Sequence, residues 1–267
     1  MIMASFRGGM YLVYFILSIV LVVAATAPTN PVKNVTDCSC GYYDHSTHNL
    51  FTESIIVYFN ETAGIPVDTF LPQSYKNSHE KGWNTQYCQG ATASNVHVGR
   101  DLLDGASNNS LELFVDPATP AHLVIGGGVQ TVRQDMFYGS FRMLLRSPTM
   151  LGSSLSMMLV WNDTQGITTN VQSTDEYSTA WVSTLSGDEF PDRKLGVNYT
   201  VLSNSSNNIS PWDYTEYRVD WTPKQVNWTI GGKLFRQLNK TSDNTFPQTP
   251  GMGCELNILL KPFWTWY

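Results

Sequence analysis

The feature that most constrains this chain is a succession of short apolar runs, each cut off by turn residues. "SLELFVDP" (110–117) alternates and ends at a proline. "HLVIGGGVQTVRQ" (122–134) reads as strand, glycine hinge, strand. "YGSFRMLLRSP" (138–148), "SLSMMLVW" (154–161), "QGITTNVQS" (165–173), "AWVSTL" (180–185) and "GVNYTVL" (196–202) follow. "EYRVDWTP" (216–223), "QVNWTIGGKLF" (225–235) and "ELNILL" (255–260) complete the series, and "LFTESIIVYFN" (50–60) is an earlier strand candidate. Past the N-terminal leader, no long segment repeats at 3.6 residues. Strands of this length and spacing can bury their apolar faces only against one another, so the chain is expected to be all-β and a sandwich. There is no internal repeat, and "SNSSNNIS" (203–210) is a polar loop.

Apolar residues make up 42% of the 267, enough for one large core. Charged residues are only 14%, against about 25% in an average soluble domain. Asn, Ser, Thr and Gln must therefore supply the polar surface. The net charge is −6 and no Lys/Arg cluster exists, which argues against a nucleic-acid partner.

Residues 1–27 read as a signal peptide. Arg7 gives a positive start, "MYLVYFILSIVLVV" (10–23) the apolar stretch, and "AATA" (24–27) the small residues for cleavage. The apolar stretch is shorter than a spanning helix needs, so a retained anchor is the less favoured reading and no stable membrane span is expected in the mature chain. Residues 28–37 are a polar, proline-containing linker, and 38–267 form the domain. Nine asparagines open N-x-S/T sequons: Asn34, Asn60, Asn108, Asn162, Asn198, Asn204, Asn208, Asn227 and Asn239. Their density fits a secreted, extracellular or cell-wall glycoprotein. If used, they orient strands: Asn227 and Thr229 outward with Val226, Trp228 and Ile230 inward, and Asn198 and Thr200 outward with Tyr199 and Val201 inward. Cys38, Cys40, Cys88 and Cys254 allow three disulfide pairings; a Cys38–Cys40 ring is too tight, which leaves the other two. C-x-C is not the usual zinc spacing, and His45, His48, His79, His97 and His122 show no metal or triad pattern. The triple glycine at 126–128 lacks the Lys-Ser/Thr and helix of a phosphate loop. No cofactor or metal is expected.

"WNDTQGITTNVQST" (161–174) carries the informative face. From Gly166 the strand puts Gly166, Thr168 and Asn170 on one side and Ile167, Thr169 and Val171 on the other. The first side is small, polar and uncharged.

"YRVDWTPKQVNWTIGGK" (217–233) resembles a late hairpin of glycoside hydrolase family 16: Tyr217, then Asp220-Trp221-Thr222-Pro223, then Trp228. Gly231-Gly232 stands where the family has Asp-Gly. "YGSFRMLLRSP" resembles that family's Tyr-Gly-x-Phe strand. The likeness runs from about Cys38 to the end, is carried by these two blocks, and is nearest to the secreted fungal branch. It implies a concanavalin A-like jelly roll with a glycan cleft on the concave sheet, and hydrolysis or transfer of glycosyl bonds in cell-wall β-glucans. The family pattern also continues past "NILLKPFWTWY" with a last strand, so an incomplete sheet, with Phe263, Trp264 and Trp266 uncovered, is expected.

In that family the strand after the apolar one carries Glu-x-Asp-x-Glu. Acids at i, i+2 and i+4 share one face, and two reaching toward each other approach the ~5–5.5 Å of a retaining pair. The resemblance puts Gly166, Thr168 and Asn170 at these positions. None is a carboxylate, so nucleophile and acid/base are both missing and no catalytic residue is intact. Asp175 and Glu176 are weak substitutes; with Asp188, Glu189 and Asp192 they read as loop acids. Of Trp161, Trp181, Trp212 and Trp228, the two flanking this motif, Trp161 and Trp181, are the expected sugar platforms, with Thr168 and Asn170 offering hydrogen bonds. Three functions follow from these residues: a catalytically impaired, polysaccharide-binding protein, an active glycosidase or transglycosylase with relocated acids, and a truncated product without a ligand.

Overall fold

The computed structural model describes residues 41–44, 47–77, 88–100, 109–147, 150, 152–162, 165–173, 178–185, 198–202, 207–241 and 253–260. In chain order the strands are β1 Tyr42–Asp44, β2 Asn49–Phe51, β3 Phe70–Pro72, β4 Tyr75–Asn77, β5 Cys88–Ala91, β6 Val96–Arg100, β7 Asn109–Leu113, β8 Leu123–Thr131 and β9 Gly139–Leu145. Then come β10 Ser153–Asn162, β11 Gln165–Ser173, β12 Ser178–Leu185, β13 Asn198–Val201, β14 Thr215–Trp221, β15 Gln225–Ile230, β16 Lys233–Asn239 and β17 Gly253–Leu260. Two 3-10 turns, Phe59–Glu61 and Ala93–Asn95, interrupt them.

Nine strands form one sheet in the order β13-β12-β11-β10-β17-β8-β5-β4, with β3 also on β8. A second sheet runs β16-β15-β14-β9. Alternation explains how the two make a sandwich. Leu155, Met157, Leu159, Ile167, Val171, Ala180 and Val182 of the large sheet share one core with Met143, Leu145, Tyr217, Val219, Trp221, Val226, Trp228 and Ile230 of the small one. Trp221 and Trp228 are fully buried; side chains of this kind each stabilise the fold by about 1.5–3 kcal/mol. Val226, Trp228 and Ile230 thus point inward, as expected. The β15–β16 hairpin turns on Gly231 and Gly232, both at positive φ (55° and 79°), the conformation a two-residue hairpin turn of this hand requires. The all-β sandwich read from the sequence is the fold observed.

Two local readings are corrected. The triple glycine is not a hinge: it lies inside the continuous strand β8. Glycine is needed there because a Cβ on Gly127 would sit 2.3 Å from the Asn95 carbonyl oxygen. Residues 50–60 are not one strand. Only β2 and a 3-10 turn form, and the segment is held by Val57 and Phe59 in the core, not by a ladder.

Asn198 and Thr200 stand opposite Val182 and Ala180 in the ladder, and Tyr199 opposite Trp181; their side chains lie outside the described residues.

Two of the four cysteines lie in strands of the large sheet. Cys88 stands opposite Leu123 at the start of β8, whereas Cys254 is one residue from Glu255, which stands opposite Gln130 near its end. At about 3.3 Å per residue, and on opposite sides of β8, the two Cα atoms are roughly 27 Å apart. Cys38 and Cys40, two residues apart, span at most about 7 Å, and each disulfide bridges at most about 7 Å.

The β1–β2 hairpin is tied to the outer face of the small sheet by charge. Asp44 pairs with Arg142, and Thr47 Oγ1 donates to Asp44 Oδ2 at 3.0 Å. Arg142 Nε reaches Ser140 Oγ (3.0 Å), Ser140 Oγ donates to Asp220 Oδ1 (2.7 Å), and Arg218 Nε lies 2.9 Å from Asp220 Oδ2. Glu216 completes the group. Burial pushes its carboxyl above the usual range, against the pull of Arg142 and Arg218 and with Asp220 and Asp44 adding to the rise. Burial raises Asp220 as well, opposed by the Ser140 hydrogen bond and both arginines.

Among the described residues no helix is long and apolar enough to cross a membrane. The expected signal peptide (1–27), linker (28–37), Cys38 and Cys40 lie outside the described residues, as do Phe263, Trp264 and Trp266.

Candidate functional site

The face of the large sheet turned away from the core is assembled row by row across the ladders. The central row runs Ser183 (β12), Thr168 (β11), Met158 (β10), Glu255 (β17), Gln130 (β8) and Leu71 (β3). On one side lies Tyr199, Trp181, Asn170, Ser156, Asn257 and Gly128. On the other, Leu185, Gly166, Val160 and Gly253 stand in line. The opposite side chains of β11, Ile167, Thr169 and Val171, are 1–3% exposed in the core. The period of two places the three motif positions together on this far face.

The floor is polar and, in its described side chains, uncharged. Ser154 and Ser156 are buried; Thr168, Asn170, Gln172, Trp181 and Ser183 are half-buried. Both polar ends of the Asn170 amide are engaged: Ser154 Oγ donates to its Oδ1 at 2.6 Å, and its Nδ2 donates to Ser156 Oγ at 3.0 Å. It braces β11 against β10 and has no proton to give. Gly166 is buried, and a Cβ there would come within 3.2 Å of Leu159 O. Trp181 lies directly opposite Asn170. Trp161 occupies the bulge that ends β10 and is 45% exposed. Trp228 is core, and Trp212 is half-buried before β14. Asp175, Glu176, Asp188, Glu189 and Asp192 lie outside the described residues.

Glu255 is the residue that sequence reasoning missed. It holds a place in the central row, two strands from Thr168 and separated from it by Met158 alone. The signal was present in "CELNILL": Glu255 and Asn257 alternate with apolar Cys254, Leu256 and Ile258. In the ladder Leu256 and Ile258 stand opposite Met157 and Leu155, both buried.

Of the sequon asparagines, Asn208 and Asn239 are exposed, while Asn60 and Asn227 are half-buried with Oδ1 shielded from solvent. Side chains at Asn162 and Asn198, and all of Asn34, Asn108 and Asn204, lie outside the described residues. Among the described residues no group of three His, Cys, Asp or Glu is placed to hold a metal ion.

The family model of glycosyl hydrolases family 16 matches residues 91–259, more than half the chain, with all of the small sheet and six of the nine strands of the large one. The chain belongs to this family. Its structure is similar to the endo-β-1,3-glucanase of Pyrococcus furiosus, with a TM-score of 0.58, 13% identity, and 78% of this chain and 83% of that one covered. It is similar to the laminarinase catalytic domain of Thermotoga maritima, with a TM-score of 0.58, 15% identity, and 77% and 86% covered. A family 16 endo-glucanase from Bacteroides ovatus, solved with the oligosaccharide G4G3G-2F-DNP, gives a TM-score of 0.53, 18% identity, and 76% and 84% covered. None of the curated proteins matches the chain. At these identities the structural likeness speaks for the jelly-roll fold, and the family rests on the sequence match. Within it, the residues that first suggested the family are structural: Tyr217, Trp221 and Trp228 fill the core, and Asp220 belongs to the charged network.

Proposed function

We propose that this family 16 protein binds a β-glucan-type cell-wall polysaccharide on the far face of its large sheet and does not cleave it. The observation that carries the reading is the commitment of Asn170 to Ser154 and Ser156, beside a glycine and a threonine at the other two motif positions. A retaining mechanism needs two carboxyl groups about 5–5.5 Å apart. A single position in the central row, Glu255, cannot serve as both nucleophile and acid/base. What remains suits binding: half-buried hydroxyls and amides, and Trp181 for stacking. The structural neighbours named as glucanases and laminarinase support a polysaccharide of this class. Secretion through the 1–27 leader, glycosylation at exposed Asn208 and Asn239, and a place in the secreted fungal branch belong to the same proposal.

The test measures glucan binding and reducing-sugar release side by side. Binding without release, weakened at least tenfold by Trp181→Ala, is the expected result. Release of sugar by the unaltered protein, abolished by Asp175→Asn with Glu176→Gln, would overturn the proposal in favour of an enzyme with displaced acids.

A further inference from the structure

The β1–β2 hairpin is attached to the domain by charge, not by core packing. Among the described residues β1 and β2 pair only with each other, and neither strand supplies a buried side chain. A two-stranded hairpin is marginal in water by itself, so its docking decides whether it persists. The chain that follows, Thr52 to Ile56, is exposed, and the core first takes hold at Val57 and Phe59. Alternation turns Asp44 toward the small sheet, where it meets Arg142, and puts Tyr43, whose Oη lies 3.0 Å from His48 Nδ1, on the other side.

The patch that receives Asp44 sets three acids against two guanidinium groups. Arg142 is engaged with Asp44 and Ser140, and Arg218 with Asp220. The third acid, Glu216, is half-buried opposite Leu144, and its carboxyl makes no ion pair among the described residues. The other charges nearby are engaged elsewhere. Arg146 lies over the Tyr214 ring at 5.6 Å, Lys233 donates to the Asn207 carbonyl, and Glu53, past the hairpin, pairs with Arg133. Asp213 is exposed ahead of β14, the outward residues of β15, Asn227 and Thr229, are neutral, and His45 lies outside the described residues. With every acid ionised the patch therefore holds one negative charge in excess, beside the hairpin's own Asp44. Burial raises the Glu216 carboxyl against the pull of both arginines. Lifting the hairpin returns that carboxyl to water, so the docked state holds the proton more tightly than the released one. Docking then weakens as pH rises from the ordinary carboxylate range through the raised value.

We infer that the β1–β2 hairpin is an acid-tightened strap, closed on the small sheet while Glu216 is protonated and released on the tether of residues 52–56 when Glu216 ionises beside Asp44.

The test is hydrogen exchange of the full chain at about pH 5 and about pH 7.5, with protection corrected for the intrinsic pH dependence of exchange. The hairpin amides are expected to be at least about fivefold less protected at the higher pH, while β14 and β15 remain protected. In Glu216→Gln the hairpin should stay protected at both pH values. Should that variant not fold, Asp44→Asn replaces it. That change removes both the acid that Glu216 repels and the Arg142 pair, so the hairpin should be weakly protected at either pH. Equal protection at the two pH values in the unaltered protein overturns the inference. A pH dependence that survives Glu216→Gln or Asp44→Asn does so too, because the titration would then belong to another group. Protection lost together from the hairpin and from β14 and β15 is global unfolding, and likewise overturns it.

Discussion

Ser154 on β10 donates a 2.6 Å hydrogen bond to Asn170 on β11. Ser154 is 1% exposed, so its hydroxyl has little water to fall back on. Asn170→Ala leaves it and the Ser156 hydroxyl without this partner, and is expected to cost about 1–3 kcal/mol in denaturant unfolding. An unchanged midpoint would show that the bracing is dispensable.

Restoring the motif as Gly166→Glu, Thr168→Asp and Asn170→Glu places three carboxylates on one strand face. Like charges in that space raise at least one pKa and lower stability at neutral pH. The new Cβ at Gly166 must also fit against Leu159 O at 3.2 Å. The triple variant is expected to unfold at lower denaturant than the parent at pH 7, with the gap narrowing at pH 4 as protonation relieves the repulsion. Stability equal to the parent at both pH values would contradict a shared cleft for the three positions.

The separation of Cys88 and Cys254 along β8 predicts at least two unpaired cysteines per chain. A thiol reagent under denaturing, non-reducing conditions should label two or more residues, or a reducible dimer should account for them. A monomer with no reactive thiol would refute the placement of these strands.

Gly127→Ala drives a Cβ to 2.3 Å from the Asn95 carbonyl, a backbone atom that cannot swing aside. The expected loss is about 1–3 kcal/mol, as for other overpacked sites. Gly64→Ala, where a Cβ meets nothing within 4 Å, is the control and should shift the unfolding midpoint by less than about 0.5 kcal/mol.

The charged network beneath the β1–β2 hairpin has its own pH signature. Burial raises the Glu216 carboxyl, so the folded protein holds that proton more tightly than the unfolded chain. Between the unfolded and the raised folded value the native state binds more protons, and stability falls as pH rises through that window. Glu216→Gln removes this contribution. It should stabilise the protein at pH 7 relative to its effect at pH 4, read as a difference in unfolding midpoint. A variant equally stabilised or destabilised at both would place the titration elsewhere.

The sequence by itself determined the later strands, β9 to β16, and for β11 and β15 the face that is buried. Both are local properties. The period of two is written into consecutive residues, so Ile167, Thr169 and Val171 had to oppose Gly166, Thr168 and Asn170, and the tandem glycines had to turn a hairpin. Tertiary structure alone decided who stands beside whom. Glu255 joins the row of Thr168 because β17 inserts between β10 and β8. Tyr199 stands opposite Trp181 because an edge strand takes its register from the ladder it joins. The distance between Cys88 and Cys254 was likewise set by one parallel and one antiparallel pairing to the same strand. Such neighbours come from chain segments tens of residues apart. The hydrophobic pattern that fixes each strand's inner face says nothing about which strand closes the ladder next to it.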